Sequence, residues 1–424
     1  MSPLSGTSQQ TPSERFDVLI IGAGPSGSVA AALLVARGYR VLVLERETFP
    51  RFSIGESLLP QCMEFLSEAG MSDAVNSAGF QVKNGAMFQR RGQFSKFDFN
   101  DKFSPGPGET YQVPRADFDK LLADEAAHAG ADIRYQHQIT AVSLDQPEPT
   151  VQCQRPDGTQ QTFTARFLLD ASGFGRVLPR LLGLESPSDF PVRSSLFCHV
   201  EDRITSTAFD REKILISVHP RFQGVWYWLI PFSNGRSSLG VVIDPELLKN
   251  YEGQPHQKLQ TLVGEDPVLA EILKDAEWDT PVRNITGYSA NVSELASNQY
   301  ALLGNAGEFL DPVFSSGVTI AMKSASLASA ALHRQLSGEN VDWQTDYALP
   351  LQQGVDTFRE FVTAWYDGRF QDIIFYQQQS PEIRAMISAI LAGYAWDRNN
   401  PYVKSPGRRL NALWDYCRST TKSA

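Results

Sequence analysis

Apolar positions fall into two kinds of run along this chain. Residues 18–21 and 41–44 are short, continuously apolar stretches, separated by a glycine-rich turn and an alanine-rich stretch at 30–36. Continuous runs of this length predict buried parallel strands, and the stretch between them predicts a helix. Similar runs recur at 167–169 and 300–303, the second followed by an alanine-rich helical stretch at 321–332. Between these the pattern changes to alternation at 194–200, 214–218, 225–231 and 237–243, which predicts an antiparallel sheet. From about residue 336 the pattern is helical and carries Phe358, Phe361, Trp365, Tyr366, Phe370, Phe375 and Tyr376. These aromatics predict the packed core of a helical tail, with a substrate or partner surface as the alternative.

The predicted class is therefore α/β (α+β overall): a Rossmann-like nucleotide domain, an inserted antiparallel β-sheet domain and a helical C-terminal region. The nucleotide domain is discontinuous, built from 15–50, 111–185 and 286–335. Residues 51–110 and 186–285 form the substrate or sheet domain, and 336–424 the helical region. Residues 1–14, rich in Ser, Thr, Gln and Pro, are expected to be a disordered tail.

The first turn gives the chain its chemistry. Gly22, Gly24 and Gly27 follow the first strand in G-x-G-x-x-G spacing, Pro25 and Ser26 open the helix, and Glu45 ends the second strand. Gly22 permits the tight turn, Gly24 lets backbone approach a pyrophosphate, and Gly27 lets helix and strand pack closely. The helix N-terminus offers amide donors and partial positive charge to phosphates. Glu45 accepts hydrogen bonds from a ribose, with Arg46 and Ile139 assigned to the same cofactor site. The loop does not separate NAD from FAD. Two later segments favour FAD: the strand ending in Asp170, and the run from Asn305 through Asp311 to Ser316-Gly317-Val318. The second run is another glycine-bearing helix start, suited to the pyrimidine edge of a flavin or to an anion, and Asn305 is expected to face the ribityl chain. This pattern resembles the second flavin motif of the para-hydroxybenzoate-hydroxylase-like fold, with Gly-Asn where that family usually has Gly-Asp. The resemblance also implies that Arg115 lies near FAD.

Charge and cysteine content narrow the field. A net charge of −10 argues against nucleic acid, whose binding depends on basic groups neutralising phosphates. Cys62, Cys153, Cys198 and Cys417 are scattered without a CxxC, as expected for reduced cytoplasmic thiols. The six histidines are dispersed, so no metal site is predicted. No run has the roughly 20 apolar residues of a membrane span, and the N-terminus lacks a signal-peptide pattern. Lys404, Arg408, Arg409, Arg418 and Lys422 form a small basic patch, read as a solvated end or as a surface for an acidic carrier protein.

Three motifs select a reaction. Trp226–Pro231 reads Trp-Tyr-Trp-Leu-Ile-Pro, residues 55–60 read Gly-Glu-Ser-Leu-Leu-Pro, and residues 83–86 read Lys-Asn-Gly-Ala. Together with the FAD motifs, over about 15–335, they resemble the flavin-dependent halogenases. The resemblance implies that Gly55, Glu56 and Ser57 lie beside the flavin, and that Trp226 and Trp228 wall it off from substrate. It implies that Lys83 is catalytic, either holding hypohalous acid or forming a haloamine. It also implies a chloride or bromide site at the amides of Ser316 and Gly317. FADH2 is expected from a separate flavin reductase, since no second complete G-x-G-x-x-G is present. Tryptophan halogenases have a glutamate where this chain has Phe314, which points to a phenol or pyrrole, free or on an acyl or peptidyl carrier protein. The rival readings are an aromatic monooxygenase, a geranylgeranyl-reductase-like enzyme, and a catalytically silent flavin-binding protein.

Overall fold

The computed structural model describes residues 14–207 and 209–421. Residues 1–13, 208 and 422–424 lie outside the described residues, and with them the expected tail 1–14 up to Glu14, which begins the first strand, and Lys422. Two seven-stranded sheets organise the chain.

The first is the nucleotide sheet. Its central strands, Glu14–Ile21 and Gln160–Asp170, run parallel in the register Glu14↔Phe163 to Ile21↔Asp170. Val41–Leu44 and then Asp132–Arg134 add in parallel on one side. Gln160–Asp170 is long enough to change partners. Its first half pairs antiparallel with Thr150–Gln154, and its end pairs parallel with Tyr300–Leu302. Strand alternation sends Val18, Ile20, Val41, Val43, Phe167 and Leu169 to one face and Leu19, Ile21, Leu42, Leu44 and Leu168 to the other. Both sets are buried, which is why these runs look continuously apolar in the sequence. The helices Pro25–Val35, Arg115–His128 and Ser316–Leu336 cover the first face. The parallel strands all end at one edge, where Ile21 leads to Gly22, Asp170 to Ala171 and Leu302 to Gly304. Open α/β sheets bind ligands at such an edge.

The second sheet roofs that edge. Its strand order is Arg283–Thr286, Ser194–Glu201, Arg236–Ile243, Trp226–Pro231, Lys213–Val218, Gly85–Arg90, Gln93–Asp98. The alternation at 194–243 predicted an antiparallel sheet. The structure adds Gly85–Arg90, paired parallel with Lys213–Val218, and Gln93–Asp98 beyond it. Ala86, Ile214, Ile216, Trp226, Trp228 and Ile230 face inward to the main core. Tyr227, Leu229, Leu239 and Val241 face outward onto the helices Pro255–Gly264 and Pro267–Ile272. The C-terminal helices, chiefly Leu349–Tyr366 and Arg369–Phe375, bury Phe358, Phe361, Trp365, Phe370 and Phe375 in the main core. No helix among the described residues is long and apolar enough to cross a membrane.

Candidate functional site: a cavity between the nucleotide edge and the roof sheet

A cavity of about 600 Å³ runs between the two sheets. One end is lined by Gly22, Gly24, Pro25, Ser26, Glu45, Arg46 and Ile139. The other is lined by Gly55, Glu56, Ser57, Arg115, Trp226, Trp228, Asn305, Gly317 and Val318. Chain segments as distant as 22 and 318 therefore meet around one space.

At the first end the glycines divide their work. A Cβ on Gly27 would lie 2.0 Å from the Gly22 carbonyl oxygen, so helix and turn touch there. Gly22 has φ +95° and backs onto Ala171, where a Cβ would lie 2.8 Å from the carbonyl oxygen. A Cβ on Gly24 would meet only the Arg51 guanidinium, at 3.6 Å. Bareness at Gly24 thus serves the cavity rather than the packing. The helix Pro25–Val35 has no side-chain cap and no acidic residue in its first turn, leaving its first amides free for an anion. The Glu45 carboxylate accepts from Ala23 N and Glu47 N, each at 2.9 Å. Those bonds fix it in place while lone pairs remain for ribose hydroxyls.

At the other end a loop is pinned from below. Arg115 donates to the carbonyls of Ile54 (2.6 Å) and Gly55 (3.3 Å), and both Arg115 and Arg51 pair with buried Asp119. Two of the loop's own side-chain oxygens are left open. Glu56 Oε1 pairs with His199 Nε2 at 2.7 Å, whereas the buried Glu56 Oε2 and Ser57 Oγ have no protein partner. Buried unpartnered oxygens cost roughly 1–3 kcal/mol each and mark a place for a ligand's donors. The uncapped start of the helix Pro25–Val35, the anchored Glu45 and the open polar loop line one continuous cavity and together suit a dinucleotide. The residues fit FAD.

Trp226 and Trp228 lie side by side on one face of their strand, ring centroids 6.0 Å apart, and both line the cavity. Trp228 stands opposite Gly240 on the next strand, where a Cβ would come within 2.2 Å of its ring. The small partner makes room for the indole, a feature the strand pattern did not reveal. Trp226 Nε1 donates to Tyr366 Oη at 3.1 Å, and Tyr366 donates to Asp311 at 2.7 Å.

Lys83 is 1% exposed and ends the strand Gln81–Lys83. It is not among the residues lining the cavity. Its Nζ donates to the Leu58 carbonyl at 2.7 Å and sits 5.6 Å from the Phe99 ring centroid. Among the described residues no carboxylate lies within ion-pair distance, and burial pushes its pKa down to about 7.

Four residues expected at the cofactor do not line the cavity. Gly27 faces the Gly22 backbone. Asp170 accepts from the backbone N–H groups of Ser172 (2.9 Å) and Leu178 (2.7 Å), so its carboxylate shapes the turn; burial raises its pKa. Asp311 caps the turn Pro312–Phe314 through Val313 N and takes the Tyr366 proton donor; burial raises its pKa to about 7. Ser316 is buried at the start of Ser316–Leu336, and its neighbours Ser315, Gly317 and Val318 face the cavity instead. Phe314 packs edge-on against Trp365 and Phe370, inside the C-terminal aromatic cluster. Sequence reasoning missed His137 and Phe174, which line the cavity, and also His199, which does not line it but pairs with Glu56. The alternation of His199 with Phe197 and Cys198 was visible, but its partner Glu56 lies 143 positions away.

A family model described as an FAD binding domain matches residues 15–348. The chain is 28% identical to a 1H-pyrrole-2-carbonyl-[peptidyl-carrier protein] chlorinase of Pseudomonas fluorescens, over 94% of this chain and 91% of that protein. It is 29% identical to the corresponding brominase of Pseudoalteromonas luteoviolacea, over 95% and 97%. A crystal structure of a flavoprotein/dehydrogenase from Cytophaga hutchinsonii superposes with TM-score 0.93 at 43% identity, covering 96% of this chain and all of that one.

Proposed function

Because the chain belongs to the flavin-dependent halogenases within the FAD-binding-domain family, and so is an FAD-dependent oxidoreductase, we propose that it halogenates an electron-rich aromatic ring. The substrate is a phenol or pyrrole, the halide chloride or bromide, and FADH2 comes from a separate reductase. The observation that carries this reading is Lys83, a fully buried lysine with no counter-carboxylate among the described residues, bonded to the Leu58 carbonyl two positions after the cavity-lining Glu56. A structural lysine is normally paired when buried. This one is held as an amine that is largely neutral above pH 7.

Bound reduced flavin supplies, from O2, the oxidising equivalents that convert halide to hypohalous acid. The chain does the rest. Gly24 and the first amides of Pro25–Val35 hold the pyrophosphate, Glu45 the ribose, and Asn305 the ribityl chain. Gly317 and the amides at the start of Ser316–Leu336 hold the halide. Trp226 and Trp228 keep the aromatic ring from the flavin, so the oxidant is spent on halide and not on hydroxylation. Neutral Lys83 has two N–H donors and a lone pair. One donor stays on Leu58; the lone pair takes the halogen as the O–X bond of hypohalous acid breaks, and the other N–H proton leaves with the hydroxide as water. The N–X bond then breaks as the halogen passes to the ring carbon, whose displaced proton returns to the amine. Substrate tethering to a carrier protein is supported by the named activities of the chlorinase and brominase relatives. The absence of a glutamate at Phe314 suits rings that need little help in losing their proton.

A second reading, a flavin oxidoreductase that does not halogenate, is favoured by one observation: the Lys83 Nζ is turned to Leu58 and away from the cavity. The deciding experiment supplies FAD-loaded protein with a flavin reductase, bromide, and a panel of free and carrier-bound phenols and pyrroles. Products are read by mass spectrometry. A brominated product that disappears in Lys83→Ala while FAD stays bound supports the first reading. Reduction of a substrate double bond without bromination supports the second.

A further inference from the structure

We propose that Glu56 and His199 form a proton relay between the ring end of the cofactor cavity and solvent. The inference rests on the halogenation reading for its stoichiometry. Converting ArH, halide, O2 and FADH2 to ArX, FAD and two water molecules consumes one proton per turnover. That proton is needed at a place walled by Trp226, Trp228 and the Gly55–Ser57 loop.

The geometry supplies a route. Glu56 is 1% exposed and lines the cavity, and its Oε2 has no protein partner. Its Oε1 lies 2.7 Å from His199 Nε2. The His199 side chain is 24% exposed, whereas that of Glu56 is 1% exposed. The pair thus runs from a closed space to an open one through a single hydrogen bond. Both members are fixed. The backbone carbonyl of Glu56 accepts from Val113 N at 2.8 Å, and the His199 backbone N–H and C=O both bond Thr280 Oγ1. The imidazole is flanked edge-on by Phe232 at 5.2 Å and by the tilted ring of Phe52 at 5.8 Å, so it has little freedom to swing away.

In the step, the Glu56 Oε2–H bond breaks as an O–H bond forms on the oxygen departing as water. The carboxylate regains a proton at Oε1 as the His199 Nε2–H bond breaks. As that bond breaks, Nδ1 takes a proton from solvent; proton exchange with water then restores the Nε2–H tautomer, and rotation of the carboxyl group resets Glu56. The other charges near the pair are ion-paired or, in one case, seated on a neighbouring ring. Asp279, which feels the His199 charge, bonds Arg236 at 2.7 and 2.9 Å. Arg283 lies over the Phe52 ring at 4.1 Å. Arg115 beneath the loop is bonded to Asp119.

The test compares His199→Gln with His199→Ala. Glutamine keeps a hydrogen-bond donor for Glu56 but cannot pass a proton on. Photoreduced FAD-loaded protein is mixed with O2 and bromide, and the return of oxidised-flavin absorbance is followed, with FAD affinity measured separately by fluorescence quenching. The relay predicts that both variants bind FAD as the wild type does, that both slow the return roughly 100-fold, and that added imidazole restores the rate in His199→Ala. A wild-type rate in His199→Gln, or slowing that imidazole does not relieve, overturns it. The readout is flavin absorbance, so it is independent of whether halogenated product appears. Absence of product with a relay-dependent return would sink the halogenation reading alone.

Discussion

Lys83 shows what a single residue reveals in sequence and what it withholds. Its place in a Lys-x-Gly-Ala motif was legible, but its environment was not. Burial against Leu58 and Phe99 depends on segments that the local pattern does not connect to it. The same holds for Asp170 and Asp311. Each stood beside a flavin motif in the sequence, yet their oxygens are occupied by backbone N–H groups and by Tyr366. Burial also has a thermodynamic sign. The folded pKa of Lys83 is about 7 against 10.5 for a free lysine. The unfolded chain therefore binds more protons between those values, and the contribution of this residue to stability rises with pH across that window. The cost is fully present below pH 7 and gone above 10.5. Lys83→Met is expected to raise stability at pH 6–7 by a few kcal/mol, about the cost of burying an unpaired charge, and to leave it unchanged near pH 10.5. Urea unfolding at the two pH values checks this; equal effects at both would contradict it.

At the scale of elements, the strand–turn–helix unit was the most readable part of the chain. Its three glycines, alike in the motif, have different physical jobs. Gly27 touches backbone, whereas Gly24 touches only the end of a flexible arginine. Gly24→Ala is expected to fold with a nearly unchanged Tm and to lose FAD affinity by roughly tenfold or more, since its methyl group would occupy the pyrophosphate's approach. Gly27→Ala is expected to lower Tm as well, because its methyl group meets a carbonyl that cannot move aside. Thermal melts of the FAD-free proteins, with fluorescence titration of FAD, separate the two; parallel losses would contradict the division. The roof sheet was legible at the four stretches that alternate, within 194–243. Gly85–Arg90 was not, because its partner, Lys213–Val218, lies more than 100 residues away in the sequence.

At the scale of the molecule, the C-terminal helices clamp the cavity. Tyr366, on Leu349–Tyr366, takes the Trp226 indole N–H and gives its own hydroxyl proton to Asp311. On the same helix Arg359 pairs with Glu308, while Tyr347, just before it, bonds the Leu302 carbonyl at 2.5 Å. The aromatic run expected to pack as the core of a helical tail does pack in the main core, and through Tyr366 it also joins the barrier. Tyr366→Phe removes one acceptor and one donor at once and leaves both partners buried. A loss of about 1–3 kcal/mol is expected, with altered tryptophan fluorescence. An unchanged unfolding midpoint would show that the clamp carries no stability.

The central claim is that a walled flavin cavity spends its oxidant on halide. The most direct measurement is one turnover of photoreduced, FAD-loaded protein mixed with O2, bromide and a phenol or pyrrole that the protein accepts. Products are separated and weighed by mass spectrometry. The account predicts a brominated ring with bromine's paired-isotope signature from the wild type, and unmodified substrate from Lys83→Ala. A hydroxylated ring from the wild type would contradict it, because it would mean that substrate reaches the flavin past Trp226 and Trp228.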